Sequence, residues 1–184
     1  RKDTMPTTLI TGASSGLGAE MARQFAALGH DLALAARRTD RLDELRREIL
    51  DTHPERRIEI RALDVTDDDA VFEVFHAFAN DFGYLDRIII NAGLGKGARI
   101  GTGKYYANRQ TAMTNFVAAL AQAEAAMEIF REQKRGHLVF ISSMSAMRGM
   151  PKALNVYAAT KAGVANLAEG LRSEMQSTPD LDVV

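Results

Sequence analysis

Residues 7–29 read TTLITGASSGLGAEMARQFAALG, and this stretch decides the fold. It opens with a short run rich in β-branched residues that stops at Gly12. An apolar stripe at helical spacing follows and ends at Gly29. The stripe consists of Leu17, Met21, Phe25 and Leu28. The pattern predicts a strand, a glycine-rich turn and a helix in direct succession.

The same alternation of strand and helix continues along the chain. Further strands are predicted at residues 32–36, 58–63, 87–90 and 137–141. Helical patterns cover residues 17–29, 38–50, 67–82, 106–133 and 156–176. Strands that alternate with helices form parallel βαβ units joined by right-handed crossovers. The sequence therefore predicts an α/β fold with a three-layer, doubly wound parallel sheet of the Rossmann type.

The composition excludes several classes of protein. The chain has 184 residues, 46% of them hydrophobic, and 23 Lys and Arg against 24 Asp and Glu, for a formal net charge of −1. These values are typical of a globular domain and give no electrostatic reason to expect a nucleic-acid or anionic-membrane partner. The absence of cysteine excludes disulfides and thiolate chemistry. No metal is expected, because the four histidines are scattered without acidic partners at ligand spacing.

The two ends of the chain support predictions about its location and its domain boundaries. No apolar stretch follows the first basic residues, and no run approaches the roughly 18 apolar residues of a membrane span, so a cytoplasmic protein is expected. Residues 1–4 are interpreted as a leader ahead of a native start at Met5. Residues 5–184 are expected to form a single domain that is incomplete at its C-terminus, because residues 181–184 look like the opening of a sixth strand.

The turn TGASSGLG at positions 11–18 suits the pyrophosphate of a dinucleotide. Such a group needs free backbone N–H groups, a positive helix end and no Cβ where backbone meets phosphate. Gly12 suits the tight turn, Gly16 the close approach, and Gly18 the packing of helix on strand. The spacing G-x-x-x-G-x-G differs from the common G-x-G-x-x-G, and an ordinary glycine-rich turn is the alternative. The candidate binding residues are Gly12, Ser14, Ser15, Gly16, Leu17 and Gly18.

The end of the second predicted strand should face the adenosine ribose of a bound dinucleotide. A carboxylate there would bind the 2′-hydroxyl group, whereas a cation would bind a 2′-phosphate. Arg37 and Arg38 follow this strand, and the first acid is Asp40. Because arginine is suited to phosphate contacts, NADP(H) is predicted rather than NAD(H). The alternative is that both arginines only begin a solvated, charged helix.

Residues that follow the third and fourth strands complete the predicted site. Asp64 can accept a hydrogen bond from the adenine amino group, and Val65 can pack on the ring. Asp64 could equally be a loop or cap residue. Asn91, Ala92 and Gly93 complete the crevice where the strand order reverses.

A second glycine-rich stretch, residues 93–104, does not match the phosphate-binding P-loop. Position 98 is alanine where that motif requires glycine, and Tyr105 stands where serine or threonine would bind the metal. A mobile loop over the active site is expected instead.

Three residues near the C-terminal end form a candidate catalytic group. Tyr157 and Lys161 are four residues apart and share one face of a helix. An ammonium group within a few ångströms stabilises a phenolate, as does the positive ring of an oxidised nicotinamide. Ser143 follows the fifth strand, and its hydroxyl could bind the substrate oxygen. Alone, the Tyr-x-x-x-Lys spacing is common by chance and could mark an ordinary surface pair.

Together these motifs resemble the short-chain dehydrogenase/reductase family over nearly the whole chain. They are TGASSGLG at 11–18, DV at 64–65, NAG at 91–93, TN at 114–115, ISS at 141–143 and YAATK at 157–161. The resemblance implies that Tyr157 is the general acid/base and that Lys161 assists it and holds the nicotinamide ribose. It also implies that Ser143 orients the reacting carbonyl or hydroxyl group and that Asn115 anchors a water molecule linking Lys161 to solvent.

The resemblance leaves the identity of the catalytic serine open and implies that the chain associates with copies of itself. The gap of 14 residues from Ser143 to Tyr157 is one longer than the family pattern, and Ser142 and Ser145 flank Ser143. In the family the helices predicted at 106–133 and 156–176 form subunit interfaces, so a homodimer or homotetramer is expected.

The predicted function is an NADP(H)-dependent oxidoreductase that transfers hydride between nicotinamide and a carbonyl or alcohol carbon of a small substrate. One alternative is a catalytically silent dinucleotide-binding or scaffold protein on the same fold. Another is a Rossmann-like methyltransferase, which gives no role to Tyr157 and Lys161. An apolar pocket wall or simple packing would explain Met144, Met147, Met150 and Leu154.

Overall fold

The computed structural model describes residues 5–95 and 97–184. The interpreted leader, residues 1–4, and Lys96 lie outside the described residues. The strands are β1 (Thr7–Thr11), β2 (Asp31–Ala36), β3 (Ile58–Ala62), β4 (Arg87–Ile90), β5 (Gly136–Phe140) and β6 (Leu181–Val183). The helices are α1 (Gly16–Ala27), α2 (Thr39–Thr52), α3 (Asp68–Phe82), α4 (Tyr105–Ala112), α5 (Ala118–Gln133) and α6 (Asn155–Glu174).

The strands form one parallel sheet in the order β3-β2-β1-β4-β5-β6. The chain runs outward from β1 to β3, returns to the other side of β1 as β4, and then runs outward again to β6. This order is that of the Rossmann fold, so the predicted fold class is confirmed. The order reverses between β1 and β4, and open α/β sheets bind ligands at the carboxyl ends of the strands at such a point.

Each face of the sheet has its own apolar core. Helices α1 and α2 pack on one face, where Leu32, Leu34 and Leu42 are fully buried. Helices α3, α5 and α6 pack on the other face, around Phe75 and Phe130. Every residue of β1 is buried, as expected for a strand covered by helices on both sides.

Local sequence signals explain the bounds of α3. The Asp67 carboxylate accepts a hydrogen bond from the Ala70 N–H at 3.1 Å and caps the helix. Asp68 and Asp69 add negative charge to the first turn, where the helix dipole favours it. Gly83, with φ of +71°, ends the helix in the left-handed conformation that glycine adopts without strain.

The long helix predicted at 106–133 is interrupted. A π-helical turn, Met113–Val117, separates α4 from α5. Apolar periodicity does not distinguish such a turn from α-helix, since a π turn adds only one residue to the register. Asn115 lies in this turn.

Residues 181–184, which the sequence analysis interprets as the opening of a sixth strand, contain β6. Leu181 pairs with Gly136, and Val183 pairs with Leu138, so β6 extends the sheet beyond β5. The described residues therefore form six paired strands of this sheet.

Candidate active site

A crevice of about 740 Å³ opens at the carboxyl edge of the sheet. Its walls come from the residues that follow β1, β2, β3 and β4, together with side chains from α4 and the π turn. The predicted binding residues that line it are Gly12, Ser14, Ser15, Arg37, Arg38, Asp64, Val65, Asn91, Ala92 and Gly93. Four separate segments of sequence thus meet in one crevice.

The glycines of the turn after β1 meet different constraints. Gly12 and Gly16 have φ of +63° and +55°, a conformation that glycine adopts without strain. A Cβ atom on Gly12 would lie 2.9 Å from the Ala92 Cα atom, and one on Gly18 would overlap the Gly12 carbonyl oxygen. A Cβ atom on Gly16 would meet nothing within 4 Å. The turn therefore packs tightly against β4 and α1, and it leaves the N-terminus of α1 open at Gly16.

A buried threonine, which the sequence analysis did not single out, joins the two central strands. The Thr11 hydroxyl donates to the Gln122 side-chain oxygen at 2.7 Å. It accepts from the backbone N–H groups of Asn91 and Ala92 at 3.1 and 3.2 Å. The Asn91 side chain donates in turn to the Thr11 carbonyl oxygen at 3.0 Å. These bonds fix the ends of β1 and β4 relative to each other at the floor of the crevice.

The two arginines after β2 have different neighbours. A guanidinium nitrogen of Arg38 lies 3.0 Å from the Ser15 hydroxyl oxygen and 3.4 Å from that of Ser14. Arg38 therefore holds the serines of the glycine turn. Arg37 is exposed and lies on the side of Asp64.

Asp64 is engaged within its own loop. Its carboxylate accepts from the Thr66 hydroxyl at 2.7 Å and from the Thr66 N–H at 3.0 Å. These hydrogen bonds, with a smaller contribution from the charge of Arg37, hold the pKa of Asp64 below its ordinary value. Asp64 therefore stabilises its own loop, which is the alternative that the sequence left open. Val65 beside it is buried.

Lys161 is fixed at the end of β5, facing the same region. Its ammonium group donates to the Ile141 carbonyl oxygen at 2.9 Å and lies 5.9 Å from the centre of the Tyr157 ring. The residue is only 6% exposed, and burial lowers the pKa of its ammonium group. A Cβ atom on Gly93 would lie 3.5 Å from that group, so Gly93 leaves room beside it.

A second cavity of about 360 Å³ lies next to this lysine. Residues from the glycine turn, the end of β4, the end of β5 and α6 line it. They are Leu17, Asn91, Gly93, Leu94, Gly95, Ile141, Ser142, Leu154, Tyr157 and Lys161. Asn91, Gly93 and Leu94 line both cavities, so the candidate catalytic pair lies next to the crevice.

The three serines after β5 differ in their contacts. The Ser142 hydroxyl donates to the Lys161 carbonyl oxygen at 2.8 Å and so fastens α6 to the end of β5. The Ser143 and Ser145 hydroxyl oxygens lie 2.9 Å apart, and that of Ser143 also accepts from the Ser145 N–H at 3.2 Å. Ser142 is therefore committed to structure, whereas Ser143 and Ser145 share a hydrogen bond.

Asn115 clamps the backbone at the end of β4. Its side-chain oxygen accepts from the Leu94 N–H at 2.7 Å, and its amide nitrogen donates to the Leu94 carbonyl oxygen at 2.9 Å. The same nitrogen lies 3.3 Å from the Thr160 hydroxyl oxygen, and that hydroxyl donates to the Tyr157 carbonyl oxygen at 2.7 Å. Thr160 was not singled out in the sequence. No local spacing indicates it, because its partner lies 45 residues away.

The second glycine-rich stretch lies against the loop before α6. A Cβ atom on Gly97 would overlap the Ala153 carbonyl oxygen, so the two backbones touch there. The Ala98 N–H donates to the Asn108 side-chain oxygen at 2.9 Å, which ties the stretch to α4.

Residues 5–95 and 97–184 contain neither a metal-binding cluster nor a membrane-spanning helix. No group of three or more histidine, aspartate or glutamate side chains is placed to hold a metal ion. Among the same residues, none of the helices has the length and apolar character to cross a bilayer.

Comparison with protein families and curated sequences gives consistent matches. A family described as "short chain dehydrogenase" matches residues 6–182. An uncharacterized oxidoreductase of Mycobacterium tuberculosis is 53% identical over 171 residues, which are 93% of this chain and 68% of that protein. Dehydrogenase/reductase SDR family member 7B of Rattus norvegicus is 31% identical over 179 residues, 95% of this chain and 54% of its own length.

Solved structures show the same architecture. An alcohol dehydrogenase of the archaeon Thermococcus sibiricus, complexed with 5-hydroxy-NADP, superposes with a TM-score of 0.87 at 27% identity. The superposition covers 97% of this chain and 73% of the archaeal one. A Burkholderia phymatum enzyme in complex with NAD has a TM-score of 0.89 over 97% of this chain and 63% of its own. At 22% identity this second likeness bears on the fold alone.

Proposed function

The chain belongs to the short-chain dehydrogenase/reductase family of oxidoreductases, and from this premise we propose that it transfers hydride between NADP(H) and a carbonyl or alcohol carbon. Tyr157 is the proposed general acid/base, assisted by Lys161. The observation that carries the proposal is the position of the Lys161 ammonium group. It is held by the Ile141 carbonyl oxygen, 5.9 Å from the centre of the Tyr157 ring, and it lines a cavity that shares wall residues with the crevice.

The residues of the crevice fit a dinucleotide. The backbone at Gly12 and Gly16 and the open N-terminus of α1 suit a pyrophosphate, which helix N-termini bind through N–H groups. Asn91, Ala92 and Gly93 lie between this turn and Lys161, where the nicotinamide end would lie. When bound, the nicotinamide supplies or accepts the hydride.

The chain's own residues would manage the proton. In the direction of carbonyl reduction, the Tyr157 hydroxyl donates a proton to the substrate oxygen. The buried Lys161 ammonium group favours the phenolate that remains, because an opposite charge nearby stabilises it. Ser143 orients the substrate oxygen, with Ser145 as the alternative, since the two hydroxyls share one hydrogen bond. Asn115 keeps the backbone at Leu94 in place and, by family resemblance, anchors a water molecule for proton exchange.

The preference for NADP(H) rests on Arg37 and Arg38. Both line the crevice directly after β2, and the first carboxylate that follows that strand in the chain is Asp40. A 2′-phosphate would meet two guanidinium groups, which bind phosphate through paired hydrogen bonds.

The proposal is tested by following the absorbance of NADPH with a panel of ketones and aldehydes, in the purified protein and in Tyr157→Phe. We expect turnover in the native protein and a loss of about 100-fold or more in the variant, since general acid/base catalysis contributes that much. Cofactor binding, measured by NADPH fluorescence, should persist in the variant. Tight NADPH binding without turnover of any carbonyl would favour a silent dinucleotide-binding protein instead. Full turnover by Tyr157→Phe would contradict the assigned role of the tyrosine.

A further inference from the structure

Charge is distributed unevenly along this chain, although its total is close to zero. Residues 91–123 and 133–168 contain neither aspartate nor glutamate. The same two segments supply the residues that follow β4, then α4, the π turn, the start of α5, β5 and most of α6. They carry a series of basic residues: Lys96, Arg99, Lys104, Arg109, Lys134, Arg135, Arg148, Lys152 and Lys161. The acidic residues therefore lie outside both segments that build the reaction site.

Four of these basic side chains are exposed on the two loops that also supply Gly95 and Leu154 to the wall of the second cavity, although none of the four lines it. Arg99 and Lys104 belong to the glycine-rich stretch, while Arg148 and Lys152 belong to the loop between β5 and α6. The two loops touch where Gly97 meets Ala153. Within the described ranges 5–95 and 97–184, none of the four side chains takes part in an ion pair. Their charges are therefore available to a ligand.

Large apolar side chains stand exposed on the same loops. Met144 is 92% exposed, and Met147 is 85% exposed, one and four residues after Ser143. Ile100 and Leu154, on the two touching loops, are 69% and 43% exposed. Leu154 also lines the second cavity beside Tyr157. An apolar chain that covered these side chains would bury hydrophobic surface that now meets water.

We propose that the substrate of this site is an amphiphilic anion, a ketone or secondary alcohol on an apolar chain that also bears a carboxylate or phosphate group. The inference rests on the proposed function and adds the substrate class to it. Loops of one sign of charge concentrate ligands of the opposite sign. The cofactor does not account for these four cations, because its predicted phosphate contacts are the glycine turn and the arginines after β2.

Matched substrates test the charge directly. We expect kcat/KM for reduction of 4-oxodecanoate to exceed that of its methyl ester by about tenfold or more at low ionic strength. Added salt should reduce the advantage, because it screens exposed charges. The phosphate monoester of a hydroxyketone of equal chain length distinguishes the two anionic groups. A higher kcat/KM for this compound assigns phosphate, and a higher value for 4-oxodecanoate assigns carboxylate.

Inhibition by compounds that cannot react gives a readout independent of turnover chemistry. Decanoate and decyl phosphate, below their micellar concentrations, should compete with the ketone more strongly than methyl decanoate does. Equal inhibition by the charged and neutral compounds would overturn the proposal.

Substitutions on the loop between β5 and α6 test whether its basic residues cause the preference for an anionic substrate. Arg148→Gln combined with Lys152→Gln should raise KM for 4-oxodecanoate about threefold to tenfold and leave kcat and the KM for NADPH unchanged, since charges at the rim act mainly on association. The methyl ester should be unaffected. Arg172→Gln, an exposed arginine near the far end of α6, is the matched control and should change none of these constants.

The outcomes separate this inference from the proposed function. Equal kcat/KM for acid and ester, with no effect of the loop variant, would overturn the substrate class and leave the oxidoreductase proposal standing. An absence of NADPH-dependent turnover with every carbonyl compound would instead contradict the proposed function.

Discussion

At the scale of single residues, the two arginines after β2 carry the proposed preference for NADP(H). Arg38 already contacts the serines of the glycine turn, whereas Arg37 is exposed near Asp64. A 2′-phosphate bound there would meet one guanidinium group hydrogen-bonded to the turn and one exposed to solvent. The fixed group favours specificity, because less side-chain entropy is lost on binding.

We predict that Arg38→Ala and Arg37→Ala each raise KM for NADPH by about tenfold to 100-fold and leave KM for NADH nearly unchanged. Hydrogen bonds to charged groups are worth roughly 1.5–3 kcal/mol, which corresponds to this range. Steady-state kinetics with both cofactors measure the effect. Arg47→Ala, an exposed arginine of α2 outside the crevice, is the control. A native protein that prefers NAD(H) would contradict the prediction.

A second residue-scale prediction concerns Gly18. A methyl group there would overlap the Gly12 carbonyl oxygen, so Gly18→Ala forces α1 away from the turn. We expect a loss of about 1–3 kcal/mol in the free energy of unfolding, typical of overpacking a tight contact. Gly170→Ala is the control, because a Cβ atom meets nothing there and alanine stabilises an exposed helix position by roughly 0.5–1 kcal/mol. Chemical denaturation measures both variants, and equal midpoints would contradict the prediction.

At the scale of elements, β1, β4 and α5 are joined through the single hydroxyl of Thr11. Removal of that hydroxyl leaves the buried Gln122 oxygen and two backbone N–H groups with fewer partners. Such losses cost more than the net value of one hydrogen bond, because each buried polar group keeps its desolvation penalty.

We predict that Thr11→Val lowers the free energy of unfolding by about 1–3 kcal/mol. Gln122→Leu in the Thr11→Val background should cost less than Gln122→Leu alone, because the two side chains share one bond. A double-mutant cycle followed by urea denaturation measures the coupling. Strict additivity of the two changes would show that Thr11 and Gln122 act independently.

The strands and helices could be predicted from the sequence, but the π turn between α4 and α5 could not. Alternating apolar runs and helical stripes determined the strands, the helices and their parallel arrangement, because these are local patterns with a fixed period. The pattern did not predict the π turn at 113–117, because such a turn keeps nearly the same apolar pattern as an α-helix.

The site shows the same division between local and distant information. The glycine turn, Arg37 and the Tyr157–Lys161 pair could be proposed from the sequence, because their spacing carries physical meaning within a few residues. The bonds from Asn115 to Leu94 and from Thr11 to Gln122 join positions 21 and 111 residues apart. Their partners become evident only once the fold brings the two segments together.

At the scale of the whole molecule, two histidines at the amino edge of the sheet lie in surroundings that disfavour their protonation. Burial, and next the positive charge of Arg87, lower the pKa values of His30 and His137 below the ordinary 6.5. The Arg87 guanidinium group donates to a ring nitrogen of His137 at 3.0 Å, which requires that nitrogen to be unprotonated. The other charged groups that act on the two rings are Arg56, Asp31, Asp86 and Asp182.

This arrangement predicts acid sensitivity with a definite sign. The unfolded chain binds protons at these histidines more readily than the folded one, so stability should fall as the pH drops through 6.5 toward the lowered values. The stability that they contribute is fully present above 6.5. Thermal unfolding from about pH 8 to pH 5 should show a flatter decline in His30→Gln/His137→Gln than in the native protein. Parallel declines in the two proteins would contradict the prediction.

The comparisons and the sequence agree on the family and on the fold. Motifs spread from residue 11 to residue 161 identified the family, and the family match covers 6–182. The homo-oligomer, the NADP(H) preference and the individual site residues stay predictions. The chain spans 68% of the length of its mycobacterial relative.

The position of β1 at the middle of the sheet has a consequence for the order of folding. We expect its pairing with β2 to form early in synthesis, because Thr7 and Asp31 are close in the chain, whereas its other neighbour begins at Arg87. From the time β1–β3 assemble until β4 docks, one edge of the most buried strand stays open. Such an edge is prone to pairing with other chains, so we expect aggregation of the nascent protein to occur most readily during that interval.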